Sequence, residues 1–259
     1  MLRPLALALV LVAGAYFAAA DDGATDASGL ALEAASAGPV RLAALPPDVT
    51  GDGAHAFAAV RRDGTQRPVR FDPCRPVRYA VRSEGALPGA DALLESAVAE
   101  VSRATGLVFV REPDVTGPVP KVEALEDPRP DGTFPPALVA WSSPDERDEL
   151  AGSTLALGGG TVWAPPGRWG EERLVGGLVT LDAPDLAQLL AGPDGPARVR
   201  GVLLHELAHL VGLAHVDDET QLLHPATSGT AFAAGDLRGL RAAGEGPCFL
   251  DWSSPTPFG

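Results

Sequence analysis

The sequence predicts an α/β domain, and three observations carry that expectation. A strand-like run, a helix-spaced run and a second strand-like run follow one another near the start of the ordered region. Two further helical patterns lie toward the C-terminal end, each with its own start or stop signals. Apolar residues make up 46% of the 259 residues, enough to fill one core of about 200 residues.

The elements can be justified in chain order. Arg3, the apolar run Leu5 to Val12 and Ala18-Ala19-Ala20 before Asp21-Asp22 have the pattern of a secretory signal peptide over residues 1–20. The apolar stretch is short for a bilayer span, so the alternative is an uncleaved N-terminal anchor. Both readings put the rest of the chain outside the cytoplasm, secreted or held at the cell surface. Residues 21–53, rich in Ala, Gly, Asp and Pro without a clear period, read as a flexible linker or short pro-segment. Order is expected to begin near His55, giving a catalytic-size domain over residues 54–259.

Ala56 to Val60 and Pro68 to Phe71 flank Asp63-Gly64 and predict a hairpin. Val77 to Val81 alternates as a strand. Ala90 to Thr105 places Leu93, Leu94, Ala97, Val98 and Val101 at helical spacing, Gly106 ends it, and Leu107 to Val110 reads as a buried strand. Glu112 to Pro136 is Pro-rich and charged, a long loop. Ala137 to Trp141 and Gly177 to Leu181 are strands, with Gly158-Gly159-Gly160 assigned to a loop between them. Asp194-Gly195-Pro196 starts a helix that runs to about Val211 and stops at Gly212. A short last helix is expected after Asp236.

Composition excludes some partners. With 20 basic against 34 acidic side chains, the formal net charge is −14, which argues against nucleic acid. The only methionine is Met1, and there is no asparagine and hence no N-glycosylation sequon. Cys74 and Cys248 are the only cysteines, and an even count in an exported chain points to a disulfide, with a free thiol as the alternative.

The chemistry lies on the helix over 196–211. His205 and His209 are four residues apart, about 40° around the axis, so both imidazoles leave one face a turn apart. That spacing suits one Zn²⁺. Gly212 lets the chain turn sharply, and His215 can swing back as a third ligand. Three neutral imidazoles leave a fourth position for water, the arrangement of a catalytic zinc. Glu206 sits beside the metal, placed to take a proton from water and pass it to a leaving amine.

The string His205-Glu206-x-x-His209-x-x-Gly212-x-x-His215 resembles the metzincin signature, and the chain is similar to secreted bacterial matrixin-like zinc metallopeptidases. The weaker supporting fragments are Phe71 to Tyr79, Ala104 to Leu107, Trp141 to Pro144, Gly177 to Asp182 and Gly235-Asp236-Leu237. The resemblance implies a zincin fold of α/β or α+β type. Its parts are a twisted, mostly parallel five-stranded sheet, a long zinc-binding helix and a small C-terminal subdomain. It also implies a cleft along an edge strand within 158–182, bounded beyond the scissile bond by Ala226 to Ala234.

Three departures stand out. The methionine that metzincins hold beneath the zinc has its equivalent at Leu223, a swap of similar volume. The tyrosine that some relatives use as a fifth ligand falls at Pro225. Only His55 and His224 remain for a second, structural zinc, too few to hold one. Calcium is allowed by the Asp-rich loops, though none matches a specific pattern. His224 reads as a turn residue or a cleft residue. Asp217 and Asp218 read either as orienting a ligand imidazole or as turn formers.

The expected activity is a secreted zinc endopeptidase acting, as a monomer, on peptide or protein substrates. The alternatives are an inactive metzincin-like binding protein and a zinc amidase acting on cell-wall peptides.

Overall fold

The structure is a computed structural model that describes residues 39–125, 128–129, 133–164 and 171–249. The expected signal segment and most of the expected linker lie outside the described residues. In chain order the elements are β1 (Ala56–Phe57), β2 (Val77–Arg82), α1 (Ala90–Thr105), β3 (Phe109–Arg111), β4 (Ala137–Ser142) and β5 (Ala156–Trp163). They continue with β6 (Arg173–Asp182), α2 (Ala183–Ala191), α3 (Gly195–Leu210), β7 (Leu213–Ala214) and α4 (Ala234–Gly244).

Five strands form one sheet in the order β3-β2-β4-β6-β5. The first four run parallel and β5 lies antiparallel at the edge. Parallel strands are covered on both faces, which is why β4 is buried at every position. On one face α1 and α3 press Leu94, Ala97, Val101, Leu203, Leu204 and Leu207 against Val139, Trp141, Val179 and Leu181. On the other, Leu138, Ala140 and Leu178 pack with Val119 and Leu125 from the long connection before β4. That connection is therefore a sheet cover and includes a 3₁₀ turn at Val122–Leu125. The residues after α3 pack with α1 and β7 inside the same compact unit, which begins at Pro39.

Several expectations are corrected. Gly158-Gly159-Gly160 is not a loop but the middle of β5. Gly158 and Gly160 face α3, which crosses the strand at contact distance, while Gly159 faces open space. A Cβ on Gly158 would lie 2.6 Å from the Glu206 carbonyl oxygen, and one on Gly160 would lie 2.6 Å from that of Leu210. Helix α2 was not foreseen; Asp182 caps it by accepting from the Asp185 N–H at 3.1 Å, with Pro184 in its first turn. The strand expected at 107–110 begins at Phe109. The hairpin forms over a short span: the Val60–Pro68 bridge is flanked by the Arg61 N–H donating to the Arg67 carbonyl at 2.8 Å and the Val69 N–H donating to that of Ala59 at 2.9 Å, while Ala56–Phe57 pair with β7.

The packed chain also starts well before His55. Residues 39–53 form an extended strap tied to the distant stretch 238–244 by arginines on both sides. Arg41 donates to the Gly244 carbonyl at 2.8 Å, Arg241 to that of Pro46 at 3.0 Å, and Arg238 to those of Gly51 and Gly53. Those residues are therefore not a free linker. Near the same end, Cys74 and Cys248 form the expected disulfide, Cα–Cα 5.4 Å, across 174 residues.

Candidate metal centre

Helix α3 is anchored by Val199, Leu203, Leu204, Leu207 and Leu210, all buried in the core, so its registry is fixed. With that face spoken for, His205, Glu206 and His209 look into a cleft. At its C-terminal end Gly212 takes φ 101°, a conformation only glycine adopts readily, and the chain reverses. The β7–β1 pairing then holds Leu213-Ala214, which brings His215 back over the helix.

The three imidazoles converge. Nε2 of His205 lies 3.0 Å from Nε2 of His209 and 3.1 Å from that of His215, and the third edge is 3.1 Å. The other ring nitrogens explain the orientation. Nδ1 of His205 donates to the Leu222 carbonyl at 2.7 Å, and Nδ1 of His209 to that of Leu213 at 2.9 Å. Carbonyls only accept, so both protons sit on Nδ1 and both Nε2 atoms present lone pairs. Two lone pairs facing each other at this distance repel unless a cation lies between them. A tetrahedral zinc with bonds of ~2.0–2.1 Å has ligand–ligand edges of about 3.3 Å, close to those observed, so the residues fit the metal. Burial also holds all three imidazoles below the ordinary histidine range, His209 to about 4, which keeps them neutral as metal ligands.

Glu206 is buried in the wall beside them. Burial raises its carboxyl to about 8, and the Gly158 backbone N–H, donating to the carboxylate, opposes that rise. The cleft in front encloses about 670 Å³ between Leu155–Gly158 on one side and Pro225–Gly229 on the other, with Glu206 and the three histidines among its lining residues. Edge strand β5, with the residues just before it, thus forms one wall, but at Ser153 to Gly158, so the expected range of 158–182 is corrected toward the start of the strand.

The turn under the site is built from the far end of the chain. Asp236, almost wholly buried, accepts from the N–H groups of Leu222 at 2.7 Å, Leu223 at 3.2 Å and Ala233 at 2.9 Å. The Gln221 side chain, also buried, accepts from the Asp236 N–H at 3.1 Å. Leu223 is buried in this turn and donates its N–H rather than offering a side-chain ligand. Pro225 lines the cleft. Neither Asp236 nor Gln221 was singled out for this role from the sequence, because the partner each holds is more than ten residues away.

The open readings resolve locally. Asp218 is a turn former: it accepts from the Thr220 N–H and hydroxyl, from the Gln221 amide and from the Ala54 N–H. The His205 and His209 imidazoles are oriented by the Leu222 and Leu213 carbonyls instead. His224 is a turn residue whose Nδ1 accepts from the Ala226 N–H at 3.3 Å. Among the described residues no set of three carboxylates converges on a calcium-sized space. The only other candidate cluster is Asp72 with Cys74 and Cys248, whose sulfurs are taken by the disulfide.

No family model and no curated protein matches the chain. Among solved structures, archaemetzincin from Methanopyrus kandleri matches at 18% identity and TM-score 0.33, covering 66% of this chain and 87% of that one. A GM1-bound ECX AB5 holotoxin matches at 10% identity and TM-score 0.44, covering 78% and 92%. At these scores neither likeness adds to what the site's own geometry says.

Proposed function

We propose that the chain is an exported zinc-dependent endopeptidase, acting as a monomer on peptide or protein substrates. The observation that carries this reading is the convergence of three neutral Nε2 atoms beside a buried glutamate on an open cleft. Bound by His205, His209 and His215, zinc would polarise a substrate carbonyl and bring a water's pKa toward ~7.

The chain's residues supply the rest. Nδ1–H donation to Leu222 and Leu213 fixes two ligand rings in the right tautomer. Strand β5 is paired on one side only among the described residues, so its free edge can take an extended peptide as an added strand. Glu206 accepts a proton from the attacking water as the new carbon–oxygen bond forms, and delivers it to the amine nitrogen as the carbon–nitrogen bond breaks. A dication nearby lowers its proton affinity from the metal-free value, which makes it a base at neutral pH. The disulfide is in keeping with an oxidising compartment. No helix among the described residues is long and apolar enough to cross a membrane.

The test is cleavage of a diverse peptide library with and without a zinc chelator, read by mass spectrometry. Chelator-sensitive internal cleavage is expected. Glu206→Gln is expected to keep one zinc per chain and lose turnover by several orders of magnitude. A variant that cleaves at the wild-type rate would overturn the assignment.

A further inference from the structure

The cleft has one fixed positive charge, and nothing in the fold uses it. Arg198 lies on α3 seven residues before His205, two helical turns along the same face. It lines the same cleft as His205 and Glu206. Its side chain is exposed and, among the described residues, has neither an ion pair nor a hydrogen bond; only its backbone N–H is engaged, by the Asp194 carbonyl. The neighbouring Arg200 behaves differently, donating to Ser96 and pairing with Glu100 on α1. Nor does Arg198 serve the helix. A cation in the first turns lies at the positive end of the macrodipole and gains nothing there.

The surrounding wall sharpens the point. Between Arg198 and the histidines lie Gly201 and Val202, faced by Leu189, Thr227 and Ser228. Among the described residues Glu206 is the only carboxylate that lines the cleft, and the general base is expected to be engaged in the reaction. A Cβ on Gly201 would lie 2.4 Å from the Gly229 carbonyl oxygen, so the glycine lets the Thr227-Ser228-Gly229 loop pack directly on α3 beside Arg198. In a molecule of net charge −14, this end of the cleft is a local inversion of sign.

We infer that Arg198 is a specificity-determining residue: it selects substrates carrying an acidic side chain close to the scissile bond, on the side of the Thr227-Ser228-Gly229 loop. The inference rests on the peptide-hydrolase reading above and names its substrate class. A carboxylate reaching past Val202 meets the planar fork of the guanidinium, which can donate two parallel hydrogen bonds to it. An uncharged isostere of the same length makes a weaker contact.

Two measurements test this with the full chain. In the first, peptides with a cleaved bond are compared as Glu and Gln versions at each flanking position. At one position kcat/KM is expected to favour Glu by about tenfold, the effect of one charge-assisted pair, and the ratio is expected to shrink in 0.5 M salt. In Arg198→Gln the ratio should fall to about one, and in Arg198→Glu it should fall below one. Because Arg198 is exposed and unbonded, melting temperature should report that these variants fold. In the second, a displayed peptide library is panned on zinc-loaded Glu206→Gln protein, which reads binding without turnover. Acidic residues should be enriched on the Arg198 protein and lost with Arg198→Gln. Cleavage with Glu and Gln equal at every position would overturn the role of Arg198 and leave the hydrolase reading standing. Arg198-dependent acidic enrichment from a protein that cleaves nothing would do the reverse.

Discussion

Glu206 couples the site to pH even before any metal binds. Its folded proton affinity, raised by burial to about 8, lies above the ordinary glutamate value of about 4.3. The folded chain therefore holds this proton over a range where the unfolded chain has released it. The stabilisation is complete below about pH 4.3 and is lost as pH rises through about 8. Metal-free wild type should lose melting temperature relative to metal-free Glu206→Gln between pH 5 and 9, and zinc should narrow the gap. A gap that does not grow with pH would show that Glu206 is not buried as a neutral acid. Leu223 is the second residue of consequence. It is buried, and its backbone rather than its side chain engages Asp236. Leu223→Met is expected to shift stability by less than about 1.5 kcal/mol and to leave peptide cleavage within a few-fold. A large gain in kcat/KM would mean that the native turn compromises the zinc.

At the scale of elements, the site is held by close approach of α3 to β5. Gly158→Ala places a methyl against the backbone of Glu206 and should cost about 1–3 kcal/mol, read from denaturant midpoints, with a loss of activity beyond the loss of stability. Much of this was legible in advance. The ligand spacing, the glycine stop and the helix at 90–105 follow from local periodicity. The edge strand did not, because glycines carry no side-chain alternation; their meaning lies in the helix that crosses them. Helix α2, nine residues long, gave too short a period to stand out. The role of Asp236 beneath the site and the strap at 39–53 escape a local reading for one reason. Their partners lie far along the chain, and a sequence read locally contains no trace of the pairing.

At the scale of the described domain, residues far apart in the chain are tied together. The disulfide links residues 174 apart, and its loss should cost up to about 5 kcal/mol in the chain-entropy account. Urea midpoints with and without reductant measure this, and coincident midpoints would assign the bridge no role in global stability. The strap adds an order to synthesis. Residues 39–53 leave the ribosome early, but Arg238, Arg241 and the Gly244 carbonyl that hold them are made more than 180 residues later. Asp236, which fixes the turn behind His205, arrives in the same late stretch. A nascent chain carries the helix of His205 and His209 well before it can hold the first imidazole in place. The convergence of the three histidines is thereby delayed until the stretch that contains Asp236 has been made.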